Sequence, residues 1–512
     1  MEHREHNIEQ RLSALTAQRL AGMRRGIEKE SLRAQPDGAL ALTPHPAALG
    51  SALTHPHITT DFCESQLELI TGVHAGVESC LAELKEVHQF VYRSIRDEML
   101  WVASMPCGLP TDETIPIARY GTSNIGRAKS VYRMGLGYRY GRRMQTISGI
   151  HYNWSLPGLT SADYFALIRN FRRHAFVLLY LFGASPAVCS SFVAGRSHGL
   201  SALAANTLGL PHATALRMGR LGYQSDAQSA MSVSYNSLES YAQSLHDALT
   251  RPHPAYETIG VRNPGGEYNQ LATTLLQIEN EFYSTIRPKR VIQPGERPFH
   301  ALRERGVEYV EVRCLDLDPF VPIGIAASTA HFIDIFLLHC LLSDSPPDAP
   351  EEVAALARNQ ERTAARGREP GLRLERGGRE VGLVDWGIEL LEECAPIARV
   401  LDAACGGSQH HIALQAARAA FADAALLPSA RMLEAMTRDF RGAYIAFIVS
   451  QSAAAQRRLL AEPWPAQADA RFRAMSRSSL AAQAATQAAD RMCFDDFLEH
   501  YLSPQRLRPS AA

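Results

Sequence analysis

The chain has 512 residues, of which 46% are hydrophobic, and this is ample for a large core with more than one lobe, so global disorder is excluded. Lysine and arginine number 52, aspartate and glutamate number 53, and the formal net charge is −1. A charge balance of this kind gives no support for a protein that binds nucleic acid or another polyanion.

The composition changes along the chain and predicts three parts. Residues 1–345 mix strand-like alternation with helical runs and hold nearly every unusual polar cluster. Residues 346–382 concentrate proline, glycine and charge, which is typical of a linker or an exposed excursion. Residues 383–512 are alanine-rich and helical in pattern, and we expect them to pack on the first part. A mixed part followed by a helical part indicates an α+β fold rather than alternating βαβ units.

No targeting or membrane segment is predicted. The first ten residues are charged and lack the apolar stretch of a signal peptide. The apolar segment 175–189 is short and interrupted by glycine and proline. The segment 323–342 is long enough to cross a membrane, but it contains His331, Asp334 and His339, which are costly in lipid. Both segments are interpreted as buried helices of a cytoplasmic protein.

No catalytic or metal-binding role is predicted for the cysteines or for one pair of adjacent histidines. The nine cysteines show no C-x-x-C spacing, which indicates reduced thiols rather than a disulfide framework. Cys107 has no histidine nearby in the sequence and is interpreted as an ordinary thiol rather than a nucleophile. His410 and His411, in the sequence QHH, are interpreted as a surface feature of the helical tail.

Three segments alternate between apolar and polar residues with the period of a strand. They read GIEKESLR, GIHYNWSLP and GVEYVEVRCLDLD, and they begin at Gly26, Gly149 and Gly306. Their polar faces carry acidic or imidazole groups, namely Glu28, Glu30, His151 and Glu311. An antiparallel sheet with one face toward helices and the other toward a cavity would collect these groups in one place.

The segment 59–70, TTDFCESQLELI, adds three more carboxylates but has an ambiguous period. Glu64 and Glu68 have helical spacing, whereas the threonines at its start and the leucine and isoleucine at its end favour a strand. Asp61, Glu64 and Glu68 are therefore all added to the candidate carboxylates.

Clustered carboxylates need cations. A set rich in oxygen, with one histidine, favours Mg²⁺ or Mn²⁺ over Zn²⁺. Because Mg²⁺ on a few carboxylates usually completes its shell with phosphate oxygens, this set predicts a nucleotide substrate. Taken alone, Glu28 and Glu30 are more often surface glutamates that pair with neighbouring arginines and lysines. The combined pattern favours the metal site, because His151 and Glu311 lie on strands whose other faces are strongly apolar.

Arginines and tyrosines are interleaved in three further segments, while the usual nucleotide-binding motifs are absent. Neither GTSNIGRA nor GLGYRYG fits a phosphate-binding glycine loop. Arginine holds carboxylates or phosphates at two points, and tyrosine supplies a flat wall with a polar tip. An ATP site in this chain would therefore rely on metal and arginine. The interleaved residues that could line such a site, or an amino-acid pocket, are Tyr132, Arg133, Tyr138, Arg139, Tyr140, Gln145, Arg217, Tyr223, Tyr283, Arg287, Lys289 and Arg290.

Long blocks of the sequence resemble one family. The blocks GIEKESLR, ALGSALTHPHITTDFCESQLELIT, RYGTSNIGRAKSVYRMGL, YGRRMQTISGIHYNWSLP, LQIENEFYSTIRPKR and GVEYVEVRCLDLDPFVPIG are similar to the proteobacterial type of glutamate–cysteine ligase. The resemblance runs from about residue 20 to residue 326. It implies a glutamine-synthetase-like core, in which a curved antiparallel sheet forms a funnel surrounded by helices.

The resemblance also implies roles for individual residues. It assigns Mg²⁺ ligation to Glu28, Glu30, Asp61, Glu68, His151 and Glu311, and the transferring phosphoryl group to Arg313. It assigns the cysteine pocket to Tyr132, Gln145, Tyr223 and Tyr283, and substrate-carboxylate or phosphate contacts to Arg133 and Arg217. ATP contacts are expected from Lys289 and Arg290.

The reaction that the resemblance implies is ATP-dependent ligation of the L-glutamate γ-carboxylate to the amine of L-cysteine through γ-glutamyl phosphate, the first step of glutathione biosynthesis. Its partners would be these three small molecules, without nucleic acid or membrane, and the expected state is a monomer. Alternatives are a γ-glutamyl ligase for another amine acceptor and a catalytically silent nucleotide or glutathione sensor. A carboxylate-and-histidine metallohydrolase is disfavoured because too few histidines are paired.

Overall fold

Strands and helices alternate irregularly along the chain. The computed structural model describes residues 2–222, 226–229, 231, 233–293 and 296–503. The strands are β1 (Arg24–Ala34), β2 (Ile58–Thr60), β3 (Gln66–Ile70), β4 (Met99–Leu100), β5 (Ile150–Ser155), β6 (Ala187–Cys189), β7 (Ser201–Ala204), β8 (Thr207–Gly209), β9 (Ile286–Lys289), β10 (Tyr309–Leu315), β11 (Arg373–Arg376) and β12 (Arg379–Gly382).

The helices dominate the second half of the chain. They are α1 (Glu2–Ser13), α2 (Ala17–Ala21), α3 (Val77–Ser94), α4 (Asn124–Tyr140), α5 (Arg142–Gln145), α6 (Ser161–His174), α7 (Phe176–Phe182), α8 (Ser190–Val193), α9 (Asp226–Ser229), α10 (Leu238–Thr250), α11 (Pro254–Ile259), α12 (Pro298–Arg305), α13 (Ala327–Leu342), α14 (Pro350–Arg366), α15 (Leu383–Cys405), α16 (Gln409–Ala422), α17 (Pro428–Phe440), α18 (Tyr444–Ala461), α19 (Ala466–Ala489) and α20 (Phe494–Leu502). The α+β class and the helical carboxyl-terminal region are confirmed.

The main sheet is antiparallel and positions the candidate site. Its strands run in the order β2-β3-β1-β5-β10-β9, and β4 pairs with the end of β1. Among the described residues the two edge strands do not pair with each other, so the sheet is open. The ambiguous segment 59–70 forms β2, a turn and β3.

One face of this sheet is apolar and lies against helices. Ile27 of β1, Tyr152 of β5 and Val312 of β10 are buried on it, as strand alternation predicts. Helices α3, α6 and α7 pack on this sheet, and α13 packs on α3 and α6. Burial of each large apolar side chain contributes about 1.5–3 kcal/mol. Since the helix layer covers this face, the polar groups are left on the other one.

The second apolar segment is a buried helix, as predicted, since it contains α13, most of whose side chains are buried. The first is helical only in its first half, α7, and ends in the buried strand β6. Within the described residues, no helix combines the length and hydrophobicity that crossing a membrane requires. The carboxyl-terminal helices α15 and α16 pack against α13.

The segment 346–382, predicted to be a linker or an exposed excursion, contains regular secondary structure. It forms α14 and the hairpin of β11 and β12, and α14 packs against α7. Pro350 is the first residue of α14, where proline is favoured because its missing N–H has no partner to lose. The proline-rich stretch therefore marks the start of a helix.

The structure joins Cys107 to Cys189 in a disulfide, so the prediction of reduced thiols is wrong for this pair. Their Cα atoms are 5.2 Å apart, which is within the usual range for a bridge. The two residues are 82 positions apart in sequence, so no local cysteine spacing predicts that they pair. The other seven cysteines are free.

Candidate active site

The pairing register brings the predicted acidic residues onto one face of four neighbouring strands. Glu30 of β1 lies opposite Glu68 of β3, and Glu28 of β1 lies opposite His151 of β5. On the other side of β5, Glu311 of β10 pairs with the residue two positions after His151. Because alternate residues of a strand share a face, these five side chains project together, and we call them the acidic face.

His151 lies at the centre of the acidic face. Its Nδ1 is 3.3 Å from Glu28 Oε2 and 3.8 Å from Glu311 Oε1, and its Nε2 is 3.7 Å from Glu30 Oε1. Donor atoms of Glu28, His151 and Glu311 all lie within 4.8 Å of one another. Two carboxylates and one imidazole at this spacing can share a metal ion.

Glu28 and Glu311 are held as carboxylates by their neighbours. Burial opposes the charge of Glu28, but the hydrogen bond with His151 and the charge of Lys289 give it a lowered pKa. Burial also opposes the charge of Glu311, yet Arg313, Lys289 and His151 bring its pKa well below the ordinary value. The Asn153 amide donates to Glu28 Oε1 at 2.9 Å, and sequence analysis did not assign Asn153 to the site.

Glu30 and Glu68 lie where negative charge exceeds positive charge. Burial and the Asp61 carboxylate raise the pKa of Glu30 to about 8, although Arg217, Arg313 and the N–H of Gly149 oppose this. Burial and the charges of Glu28, Asp61 and Glu30 raise the pKa of Glu68 well above its ordinary value. The site therefore has a deficit of positive charge on the β1–β3 side, and a divalent cation would correct it.

A cationic group borders the acidic face on the β9 and β10 side. Arg313 Nη1 lies 2.9 Å from Glu311 Oε2 and 3.4 Å from His151 Nδ1. Lys289 Nζ lies 3.3 Å from Glu311 Oε1. The pKa of His151 is lowered by its burial and by the Arg313 charge, so the imidazole is neutral and can act as a ligand.

A cavity of about 520 Å³ opens beside His151 and Arg313. Its walls include Tyr283 and, from α14, Gln360 and the two arginines Arg358 and Arg362. The α14 residues were missed by sequence analysis because they lie in the segment interpreted as a linker. A helical pattern from Pro350 onward was the signal that could have found them.

Three predicted pocket residues lie near this cavity. Gln145 Nε2 donates to the Tyr283 hydroxyl at 2.6 Å, and the Tyr283 ring lies in the cavity wall. Tyr132 lies half-buried on α4, in the same hydrophobic cluster as Tyr283. Helix α4 starts at Asn124 because the Ser123 hydroxyl accepts the N–H of Gly126.

The predicted arginines lie in different environments. Arg133 donates to the carbonyl of Asp61, and its charge acts on Glu68, so it lies beside the acidic face. Arg217 is buried, with Nε 3.0 Å from Asp316 Oδ1, and it donates to the carbonyls of Arg313 at 2.9 Å and Leu315 at 2.6 Å. This placement makes it a support of β10.

Of the remaining two assignments, Arg290 does not join the acidic face. Arg290 lies 3.7 Å from Glu308 and donates to the carbonyls of Arg305 and Gly306. Tyr223 lies outside the described residues.

Comparison with known proteins finds glutamate–cysteine ligases, both by family model and by individual relatives. The family model for glutamate–cysteine ligase matches residues 10–363. The chain is 45% identical to the glutamate–cysteine ligase of Alcanivorax borkumensis over 98% of this chain and 99% of that protein. It is 50% identical to that of Azotobacter vinelandii over 93% of each. The similarity thus extends beyond the segment 20–326 on which the sequence resemblance was based.

A solved structure agrees over 95% of the chain. The glutamate–cysteine ligase of Francisella tularensis, solved in complex with AMP, superposes with a TM-score of 0.90 at 35% identity. The match covers 95% of this chain and 98% of that one, so the helical carboxyl-terminal region is included. On these matches, the chain belongs to the glutamate–cysteine ligase family.

Proposed function

We propose that the acidic face, together with Asp61, binds Mg²⁺, with Mn²⁺ as the alternative, and that Arg313 and the adjoining cavity carry the ATP chemistry of this ligase. The observation that carries the proposal is the arrangement of Glu28, His151 and Glu311 around one point, with Arg313 beside them. The donor set is rich in carboxylate oxygen and short of positive charge, which suits a hard divalent cation.

The chemistry of the family explains why such a site is needed. An enzyme of this family joins the γ-carboxylate of L-glutamate to the amine of L-cysteine and consumes ATP. Direct attack by the amine fails because oxide is a poor leaving group. Transfer of the γ-phosphoryl group to a carboxylate oxygen releases ADP and gives an acyl phosphate. The amine then attacks the carbonyl carbon, the C–O bond to phosphate breaks, and the amine loses a proton.

The residues of the chain have separate tasks in this proposal. Bound Mg²⁺ supplies charge neutralisation between the triphosphate and the substrate carboxylate, and it polarises the γ-phosphorus. Glu28 and Glu311 are kept ionised by their neighbours and are suited to permanent ligation. Arg313, in the cavity wall beside Glu311, would donate to the equatorial oxygens of the moving phosphoryl group. Gln145 and Tyr283 form a polar wall that suits a small amino acid.

The acceptor pocket would select cysteine by size. A pocket that selects cysteine over a similar small amino acid by size discriminates by only about 1–3 kcal/mol. The monomeric state and cytoplasmic location predicted from the sequence belong to the proposal as well.

A panel of acceptors tests the reaction. Purified protein would receive ATP, Mg²⁺ and L-glutamate with each amino acid in turn, and ADP release and the product would be followed. We expect ADP release that depends on cysteine and a γ-linked product. If ADP is released only with a different amine, that amine is the acceptor and the assignment of cysteine is wrong. Tight nucleotide binding without ADP release from any acceptor would identify a silent sensor.

Glu311→Gln tests the metal site. The loss of one charged ligand is expected to weaken Mg²⁺-dependent ATP binding by at least about 10-fold, because even outer-shell changes cost 10–100-fold. Isothermal calorimetry of ATP binding at several Mg²⁺ concentrations measures this.

Glu308→Gln is the matched control for Glu311→Gln. Glu308 lies three residues earlier, and its carboxylate lies near Arg290 rather than on the acidic face. The Glu308→Gln variant should bind ATP with the affinity and the Mg²⁺ dependence of the wild type. If the affinity of the wild type for ATP does not depend on the Mg²⁺ concentration, the metal assignment is refuted.

A further inference from the structure

A second cluster of metal-binding side chains lies on the helix side of the main sheet. His331 and Asp334 of α13 meet His410 of α16, and their donor atoms all lie within 4.8 Å of one another. The three residues are 6%, 0% and 3% exposed. The interpretation of His410 as a surface residue is therefore wrong, because the packing of α16 on α13 buries it.

The outer nitrogens of both histidines are held by carboxylates. His331 Nε2 lies 2.8 Å from Glu78 Oε1, and His410 Nδ1 lies 2.9 Å from Asp402 Oδ1. Both contacts are at hydrogen-bond distance, and a carboxylate oxygen accepts in such a contact. Each outer nitrogen must then carry the hydrogen.

The inner nitrogens therefore face each other with lone pairs. A neutral imidazole that donates from one nitrogen accepts at the other, which here leaves His331 Nδ1 and His410 Nε2 as acceptors. These atoms are 3.5 Å apart, and the ring planes are 79° from each other. Two facing lone pairs in a buried site require a cation or a shared proton between them.

The separation of the inner nitrogens suits a metal ion. Two nitrogens at the Zn–N distance of about 2.0–2.1 Å on a tetrahedral ion are about 3.3 Å apart. Carboxylates behind both imidazoles are also the usual outer partners of zinc-bound histidines.

Asp334 brings a carboxylate to the cluster, and its Oδ2 lies 2.6 Å from Nη2 of Arg25. Asp334 Oδ1 accepts from the Tyr152 hydroxyl at 3.0 Å and keeps further lone pairs for a ligand bond.

We propose that His331, His410 and Asp334 form a transition-metal site that fits Zn²⁺, with water at the fourth position. Two imidazoles make the set unsuited to Mg²⁺, which separates it in chemistry from the acidic face. The site joins α13 of the core to α16 of the carboxyl-terminal region. Glu78 and Asp402 are positioning residues that orient the two imidazoles.

Zinc binding in excess Mg²⁺ tests the proposal. Full-length protein in millimolar Mg²⁺ would be titrated with zinc chloride against a competing chelator, and X-ray absorption would count the imidazoles on the bound zinc. We expect one tight equivalent with two imidazoles. Because the acidic face offers only His151, a zinc ion there would show one. A zinc ion at the group of His174, His339 and Cys340 would show a sulfur ligand, which would also overturn the proposal. Absence of the tight equivalent, or one imidazole, would overturn the proposal.

Variants locate the site. His331→Gln and His410→Gln should each weaken zinc binding by at least about 10-fold, and Asp402→Asn by about 10–100-fold. His411→Gln is the matched control, because His411 is exposed on the same helix, and it should bind like the wild type. Unchanged zinc affinity in the folded double variant His331→Gln/His410→Gln would overturn the proposal. If these variants fail to fold by circular dichroism, the imidazole count on the wild type decides.

Discussion

Replacing Arg313 by alanine is expected to lower kcat by about 10³-fold or more while it weakens ATP binding much less. Arg313 lines the cavity, and one of its amino groups is occupied by Glu311 at 2.9 Å. A guanidinium has five N–H donors, so others remain for a phosphoryl oxygen. Burial opposes its charge, but Glu311 and Glu30 raise its pKa, so it is always cationic.

The loss in kcat should exceed the loss in ATP affinity because charge on the equatorial oxygens is rearranged during phosphoryl transfer. A donor that meets this charge in the transition state changes kcat, whereas uniform binding changes KM. Steady-state kinetics and calorimetry of ATP binding measure the two effects separately. Arg24→Ala is a suitable control, because Arg24 is exposed at the start of β1 and donates to nearby carbonyls. Equal losses in turnover and ATP affinity would contradict a transition-state role for Arg313.

The strands of the site could be predicted because each has one apolar face and one face of charged or polar side chains. Val310 and Val312 alternate with Glu311, and Tyr152 alternates with His151, so local periodicity alone indicates which groups point away from the core. The segment around Glu68 was ambiguous because β2 and β3 have only three and five residues. A pattern this short contains too few repeats to separate a strand from a helix.

Long-range placement could not be predicted from local patterns. The register that sets Glu28 against His151 joins residues more than a hundred positions apart, and it depends on the packing of whole strands. The same holds for α14 at the cavity and for His410, whose burial results from the packing of α16 on α13. The family resemblance supplied the grouping of the acidic residues, and the structure adds Asn153 and the α14 arginines to it.

Lys29→Met is expected to stabilise the protein near neutral pH and to do so much less at pH 10. Lys29 alternates with Glu28 and Glu30 on β1, so it points into the helix layer, where it is 0% exposed. Its Nζ lies 3.0 Å from His88 Nε2, and it forms no ion pair with a carboxylate of the described residues. Burial lowers the pKa of Lys29 from 10.5 to about 7.

The sign of the effect follows from proton binding. Below pH 7 both the folded and the unfolded states are protonated, and the folded state carries the full cost of a buried charge. Between pH 7 and 10.5 the unfolded state binds more protons, so the contribution of Lys29 to stability rises with pH. At 1.36 kcal/mol per pH unit, the total change is roughly 5 kcal/mol.

Methionine has a similar length and no charge, so it removes this dependence. The variant leaves His88 Nε2 without its partner, at a cost of about 1–3 kcal/mol that does not vary with pH in this range. Burial and Lys29 hold the pKa of His88 well below its ordinary value, so His88 stays neutral throughout. We therefore expect the stability gained by Lys29→Met to be roughly 3–4 kcal/mol larger at pH 7 than at pH 10.

The difference between variant and wild type is the quantity to measure, because other groups that titrate in this range are common to both proteins. Urea unfolding at a series of pH values from 7 to 10 gives the free energy of unfolding of each protein. Lys85→Met is the matched control, since Lys85 lies on α3 with a side chain that is 40% exposed and pairs with Glu462. Its effect should be small and nearly constant with pH. A Lys29→Met curve that runs parallel to the wild type would mean that the Lys29 ammonium stays charged in the folded protein, and therefore that the helix layer behind the acidic face admits water.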